Sequence, residues 1–153
     1  MTINEYVSKS DFHRGDLVCI KEPDGIYVRD RYKNALAIVT GSYWDENPVE
    51  FEMDENCRNL YNLEIINKDG YLIDKLQWVK STKLEFVGTI PDFENVYEYL
   101  RAKTHRYKTR SLYRNPYLLY FNNGVVKVAN NSNTVELFKF DIDNILDRIY
   151  EKM

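Results

Sequence analysis

Short apolar runs separated by turn residues dominate residues 1 to 90. Pro23-Asp24-Gly25 and Asn67-Lys68-Asp69-Gly70 are typical turn sequences, because Gly and Asn accept backbone angles that other residues avoid. The intervening runs are rich in β-branched and aromatic residues, which favours strands over helices. Five such runs with tight turns and no helix predict a small five-stranded β-barrel, with strands over 15–20, 35–43, 60–66, 76–79 and 84–87.

The second half begins with a helical period and continues with a hairpin pattern. An amphipathic helix starting near Pro91 is predicted from apolar residues at i, i+3, i+4 and i+7, namely Phe93, Val96, Tyr97 and Leu100. Asn122-Asn123-Gly124 between two apolar runs predicts a hairpin over 117–128, and a third strand follows over 134–140. Asp141 caps a predicted closing helix with apolar residues Ile142, Ile145, Leu146 and Ile149. The predicted fold is therefore mainly β, with an α+β C-terminal part made of a helix, a three-stranded antiparallel meander and a C-terminal helix.

Charge divides the chain near the same point as the hydrophobic pattern. Residues 1–90 carry 11 basic and 16 acidic side chains, whereas residues 91–153 carry 10 and 8, so the net charge changes from -5 to +2. The change falls at Gly88-Thr89-Ile90-Pro91, where Gly and Pro punctuate the chain. We therefore expect a barrel domain over 1–88 and a C-terminal domain or extension over 89–153.

Composition supports a globular protein with a large aromatic inventory. Apolar residues make up 44% of the chain and include 13 Tyr, 7 Phe and 2 Trp, which suit sheet surfaces and binding faces. No apolar run approaches the roughly 18 to 20 residues of a membrane span, so a cytoplasmic location and no membrane partner are expected. Cys19 and Cys57 are interpreted as free thiols, because disulfides rarely persist in a reducing compartment.

The first 85 or so residues resemble a known barrel family. The resemblance is carried by Gly15-Asp16-Leu17-Val18, by residues 37–41 and 61–65, and by the run 78–87 with a short turn at Lys80 to Lys83. These segments resemble the Src-homology-3-like barrels of the KOW and Tudor type, including those of small early phage proteins that act on host transcription. The resemblance implies that the barrel is a binding module. Residues 34–37 lack the Gly that KOW motifs usually carry before the second strand.

A basic segment follows the predicted helix near residue 91. Six cations fall within fourteen residues without an acidic residue, and tyrosines are interleaved with them. Such a segment can neutralise phosphates while its rings stack on bases. The alternative is a solvated linker whose charges complement the helix dipole. The predicted nucleic-acid-binding residues are Arg101, Lys103, Arg106, Tyr107, Lys108, Arg110, Tyr113 and Arg114.

A second candidate surface is acidic and aromatic. Six carboxylates occur between residues 45 and 55 without a Lys or Arg, next to aromatic residues. Such a surface can dock on a basic patch of a host protein, although a solvated loop and barrel packing explain the same residues. The predicted partner-binding residues are Tyr43, Trp44, Asp45, Glu46 and Tyr61.

Catalytic and metal signatures are weak. The two His and two Cys residues stand at 13, 105, 19 and 57, which lacks the paired spacing of a zinc site. We therefore expect no enzyme activity, no metal and no small-molecule cofactor. The leading hypothesis is a phage-type nucleic-acid-binding regulator of transcription or chromatin, with double-stranded DNA as the expected partner. The alternative is a protein-interaction module that inhibits a host or defence enzyme.

Overall fold

Within the residues that the structure describes, the backbone consists mainly of antiparallel strands and one long helix. The computed structural model describes residues 11–25, 28–43, 59–67, 70–106, 118–122, 125–130 and 133–139. In chain order the elements are β1 (Asp16–Ile20), β2 (Leu36–Ser42), β3 (Leu60–Ile66), β4 (Leu72–Lys80), β5 (Leu84–Thr89), α1 (Phe93–Arg106), β6 (Leu118–Asn122), β7 (Val125–Asn130) and β8 (Asn133–Lys139). Short 3₁₀ turns lie at Asp30–Tyr32 and Ser81–Lys83.

Five strands form one antiparallel sheet in the order β4-β3-β2-β1-β5. Every neighbouring pair is antiparallel, and β4 and β5 are the two edges. All five residues of β1 are buried, and the four that follow Asp16 form a continuous apolar run. Register shifts between Val39 and Gly41 in β2, and at two places in the β3–β4 pair, mark irregularities that bend a sheet.

A tight turn at Gly15 brings the start of β1 close to the helix. Gly15 has a φ of 97°, and a Cβ added there would lie 2.9 Å from Phe93 Cγ, so only glycine fits. The Gly15 N–H donates to the Val39 carbonyl, and the Ile90 N–H donates to the Gly15 carbonyl. The predicted Gly-Asp turn at the first strand is therefore also the point where α1 meets the sheet.

One face of the sheet is covered by α1. The predicted apolar stripe Phe93, Val96, Tyr97 and Leu100 is buried, which confirms the helix. The stripe packs on the strand residues that face α1, including Leu17, Ile38 and Ile66. Leu119 and Phe121 of β6 belong to the same cluster.

The opposite face of the sheet has its own core. Alternate residues of the same strands point to it, because strand side chains alternate between faces. Tyr32 and Tyr61 are fully buried there, and Leu118 of β6 packs against them. Residues on both sides of the predicted boundary at 88 and 89 thus contribute to both clusters, and β5 itself runs across that boundary.

The meander pairs as β6-β7-β8, in antiparallel order. Isolated bridges join Ala35 to Tyr120 and Asn67 to Leu118, and the Phe121 N–H donates to the Asn34 carbonyl at 2.8 Å. Strand β6 is therefore fastened to the ends of β2 and β3. The predicted closing helix after Asp141 lies outside the described residues.

Strand β4 begins at Leu72, four residues before the predicted start. Asp74 and Lys75 interrupt the apolar run and concealed this extension from the sequence pattern. They are tolerated because β4 is an edge strand: Asp74 accepts a 2.5 Å hydrogen bond from the Tyr32 hydroxyl, and Lys75 faces solvent.

Candidate nucleic-acid interface and neighbouring surfaces

The described part of the basic segment does not form one strip. Arg101, Lys103 and Arg106 all lie on α1, where successive residues turn by about 100°. Arg101 and Arg106 are exposed but project about 140° apart around the helix axis. Lys103 is only 4% exposed, which corrects the expectation that its ammonium faces solvent.

Lys103 holds the end of α1 to the sheet. Its Nζ lies 4.8 Å from the centre of the Tyr71 ring, a cation–π contact. One residue later, the Thr104 hydroxyl accepts a 2.9 Å hydrogen bond from the Leu72 N–H and donates to the Leu100 carbonyl. The helix end is thus anchored at the turn between β3 and β4.

The chain returns to the same turn after the basic segment. Leu118, which begins β6, forms a bridge with Asn67, and the Asn67 N–H donates to the Tyr71 carbonyl at 3.0 Å. The Asn67 side chain also accepts from the Tyr71 N–H at 2.9 Å. Both ends of the segment 107–117 are therefore held at one turn. Five of the predicted nucleic-acid-binding residues lie in this segment, outside the described residues: Tyr107, Lys108, Arg110, Tyr113 and Arg114.

Further cations lie where β6 meets the sheet. The Tyr120 hydroxyl donates to the Arg31 carbonyl at 3.0 Å, and the Arg31 guanidinium stacks over Tyr32 with 4.8 Å to the ring centre. Arg29 and Lys33, on either side of this 3₁₀ turn, are exposed. Sequence reasoning missed this group because Asp30 and Tyr32 separate the three cations, so they do not form a continuous basic run.

An aromatic pair with one exposed ring lies at the other end of β4. Trp78 is 49% exposed and meets Tyr43 edge to face, with ring centres 5.7 Å apart. Trp78 has a φ of 55°, a left-handed conformation uncommon for a bulky residue. The backbone N–H of Trp78 donates to the Asn62 side chain at 3.4 Å. This irregular point turns the indole out of the sheet edge and exposes it.

The remaining predicted partner-binding residues separate into two groups. Tyr61 is fully buried, its hydroxyl accepts from the Phe12 N–H and donates to the Asn59 side chain, and its ring meets Phe12. This corrects the expectation that its ring lies on a surface. Trp44, Asp45 and Glu46 lie outside the described residues.

A groove of about 940 Å³ runs between α1 and strand β4, with a carboxylate beneath it. Glu64 on β3 is 3% exposed, its Oε1 lies 3.6 Å from Lys75 Nζ, and its Oε2 accepts no hydrogen bond within the described residues. Burial, then the charge of Glu64 and a side-chain hydrogen bond to it, raise the pKa of Tyr97 to about 12, so this hydroxyl stays protonated at neutral pH.

Arginines flank the Tyr97 ring on the wall of this groove. The guanidinium carbons of Arg14 and Arg101 lie 5.0 and 5.6 Å from the ring centre. Arg14 also binds both carboxylate oxygens of Glu94, at 2.7 and 3.3 Å, and donates to the Thr40 carbonyl. The hydrogen bond from Arg14 lowers the pKa of the Glu94 carboxyl. Arg101 therefore belongs to this groove rather than to the end of the sheet where the basic segment is anchored.

Nothing in the sequence analysis pointed to Glu64. The available signal was a single charged residue inside the apolar run of β3, because a strand covered on both faces has no solvent side for a carboxylate.

Cys19 has the properties of a packing residue. It is buried, and burial raises the pKa of its thiol to about 11, although the Lys21 charge opposes the shift. Its Sγ lies 3.6 Å from Glu85 Oε2. A protonated, enclosed thiol is a poor nucleophile. Among the described residues no group of three or more His, Cys, Asp or Glu side chains could hold a metal ion.

No described helix has both the length and the apolar character needed to cross a bilayer. No family model, curated protein or solved structure matches this chain.

Proposed function

We propose that the chain is a nucleic-acid-binding regulator of the type found in phages, which contacts phosphates through the segment 106–114. The observation that carries the proposal is the anchoring of both ends of this segment at the turn between β3 and β4. A basic segment tied down in this way loses less conformational entropy on binding than a free tail would.

Anchoring also limits where the cations can be. Eleven residues separate Arg106 from Leu118, and a chain of that length whose ends share one base carries no residue further than about 20 Å from it. In this proposal Lys103 and Thr104 are positioning residues and do not contact phosphate.

The sheet supplies the platform. The strand order β4-β3-β2-β1-β5 and the 3₁₀ turn Ser81–Lys83 between β4 and β5 support the proposal that it is a Src-homology-3-like barrel of the KOW and Tudor type. The net charge of -3 argues against a surface that attracts DNA everywhere. Binding is thus proposed for one end of the molecule only.

An electrophoretic shift titration with duplex DNA tests the proposal. With about four phosphate contacts, affinity should fall roughly a hundredfold between 50 and 200 mM salt. The double variant Lys108→Ala/Arg110→Ala should bind all sequences more weakly and flatten the salt slope by about two contacts.

The matched control removes the same charge from another part of the chain. Lys80→Ala/Lys83→Ala takes two cations from the end of β4 and the following 3₁₀ turn, and it should leave the salt slope unchanged. Equal loss of affinity in both double variants would show that net charge alone matters. Absence of binding at 50 mM salt, or binding independent of salt, would overturn the proposal.

A second candidate function rests on the exposed indole of Trp78 and its contact with the half-buried Tyr43. Exposed aromatic rings are common anchors of protein interfaces, and the six carboxylates between residues 45 and 55 would favour a basic partner. The test is capture of one stoichiometric protein from a bacterial lysate after nuclease treatment. That protein should be lost with Trp78→Ala and retained with Phe86→Ala, which alters an equally exposed ring on β5. Retention by Trp78→Ala would contradict this candidate.

A further inference from the structure

We propose that the groove between α1 and β4 is a binding site for an alkylammonium group, with the Glu64 carboxylate as its anchor. The proposal is independent of the nucleic-acid interface, because it uses Glu64, Tyr97 and the rim of the groove instead of residues 106–114. It explains why a carboxylate is built into a sheet face that is otherwise apolar.

The starting point is the state of the carboxylate. Glu64 is 3% exposed and lies on the same face of β3 as Ile66, two residues later, which belongs to the core beneath α1. Buried carboxylates are normally paired and fully hydrogen-bonded, because removing them from water is costly. Glu64 Oε2 is enclosed and accepts no hydrogen bond within the described residues, so Oε1, which the exposed Lys75 reaches, is the oxygen open to an ammonium from the groove.

The existing ion pair is easily exchanged. Lys75 Nζ reaches only Oε1, at 3.6 Å, and the Lys75 side chain is 78% exposed. Such a partner is mobile and contributes little, so an incoming ammonium can displace it. The Lys75 position also shows which chemistry the carboxylate accepts, namely an alkyl chain ending in N–H donors.

The walls of the groove suit the same ligand. The Tyr97 ring, which is 9% exposed and is stacked on Phe93 with ring centres 5.2 Å apart, forms part of the wall of the groove. Once the Glu94–Arg14 ion pair is set aside, the charged lining residues are Glu64, Asp74 and Glu98 against Lys75 and Arg101, and Asp74 already accepts a hydrogen bond from Tyr32. Because Arg14 is held by Glu94, its charge is offset locally. An anionic ligand would meet the buried carboxylate, and this disfavours it.

The volume fits a small molecule or one side chain. About 940 Å³ lies in the range of small-ligand sites. A free polyamine and a lysine side chain of a peptide present the same ammonium chemistry. The experiment therefore uses both as probes.

Isothermal titration calorimetry of the full chain tests the site, with putrescine and with an acetylated, amidated Gly-Lys-Gly peptide. NMR chemical-shift mapping should place the response on α1 and β4. Binding of putrescine alone would assign a free amine, and binding of the peptide alone would assign a lysine side chain. The matched peptide Gly-norleucine-Gly, which lacks the ammonium, should not bind. Equal binding of that peptide would overturn the proposal.

Two variants act in opposite directions. Glu64→Gln keeps the shape but removes the charge, and it should weaken amine binding at least about tenfold. Lys75→Ala removes the competing ammonium from an exposed position, and it should strengthen binding about two- to fivefold. Lys80→Ala, on the same strand but not among the lining residues, should change nothing.

The Lys75→Ala variant keeps the proposal falsifiable even if Glu64→Gln does not fold. Unchanged or weaker amine binding in Lys75→Ala, or no heat with either amine probe, would overturn it. Because these variants lie outside the segment 106–114, loss of amine binding with intact DNA binding separates this inference from the proposed function.

Discussion

The two faces of the five-stranded sheet are closed in different ways. On the face that contains Tyr32 and Tyr61, the polar atoms of these buried tyrosines are paired, because Tyr61 binds Asn59 and Tyr32 binds Asp74. On the face beneath α1, the described cover consists of the helix and residues of β6, and beside the helix lie a groove and a carboxylate oxygen without a donor in the described residues.

This difference separates residues that stabilise the fold from residues available for binding. Neighbours in β3 belong to opposite faces, so Leu63 and Glu64 sample both situations within two positions of the chain. The change in the free energy of unfolding on substitution of each residue measures how much its face of the sheet contributes to stability.

The largest effect is expected at the closed face. Leu63→Ala should lower the free energy of unfolding by about 2–5 kcal/mol, because it leaves a cavity among residues that cannot close over it. Glu64→Gln should change it by less than about 1 kcal/mol, because a carboxylate with an unpaired oxygen contributes little to stability. Urea unfolding at neutral pH measures both. Equal costs would contradict the distinction between the faces.

The next effect is a dependence of stability on alkaline pH. Burial and Glu64 raise the pKa of Tyr97 from 10.0 in the unfolded chain to about 12, so the folded state keeps a proton that the unfolded state releases. Stability from this group is complete below pH 10 and is lost as the pH rises towards 12, at about 1.4 kcal/mol per pH unit. Tyr97→Phe should remove this part of the loss.

Glu64→Gln provides the control for that titration. Without the negative charge the pKa of Tyr97 should fall towards its ordinary value, and the window of stability loss should narrow. The absorbance of tyrosinate, followed from about pH 9 to about pH 13, reports the change in the pKa of Tyr97. An unchanged titration in Glu64→Gln would show that Tyr97 and Glu64 are not coupled.

A smaller effect is expected where α1 meets the turn between β3 and β4. Lys103→Met keeps a side chain of similar length over Tyr71 but loses the cation–π contact, so stability should fall by about 1 kcal/mol or less. The salt slope of DNA binding should stay the same, because Lys103 is an anchor in our proposal. A slope reduced by one contact would instead make Lys103 a phosphate ligand.

The local patterns predicted the secondary structure well, and the reasons are physical. The stripe on α1 depends only on the helical period, and β1, β2 and β3 are apolar runs bounded by turn residues, so the sequence contains both signals directly. The same helical period also contained the burial of Lys103, which follows Leu100 by three residues and Val96 by seven. Its charge concealed this, because lysine is rarely buried.

Tertiary contacts were not accessible in the same way. The bridge between Asn67 and Leu118 and the contact between Arg14 and Glu94 join residues 51 and 80 positions apart, and no periodic pattern connects them. The groove depends on how α1 lies across β3 and β4, so Glu64 acquires its role only from that arrangement. Sequence reasoning found the basic segment but not the turn that anchors it.

The smallest change in stability is expected at Trp78, whose exposed indole contacts Tyr43 outside both core clusters. Trp78→Ala removes a ring that is 49% exposed and contacts Tyr43, so its effect on unfolding should be within about 0.5 kcal/mol. The left-handed backbone at Trp78 gains nothing from the indole, since that strain is independent of the ring. Urea unfolding of Trp78→Ala beside Phe86→Ala measures this. If Trp78→Ala costs more than about 1 kcal/mol while Phe86→Ala costs nothing, the indole is a structural part of the sheet edge, and its exposure no longer argues for a partner.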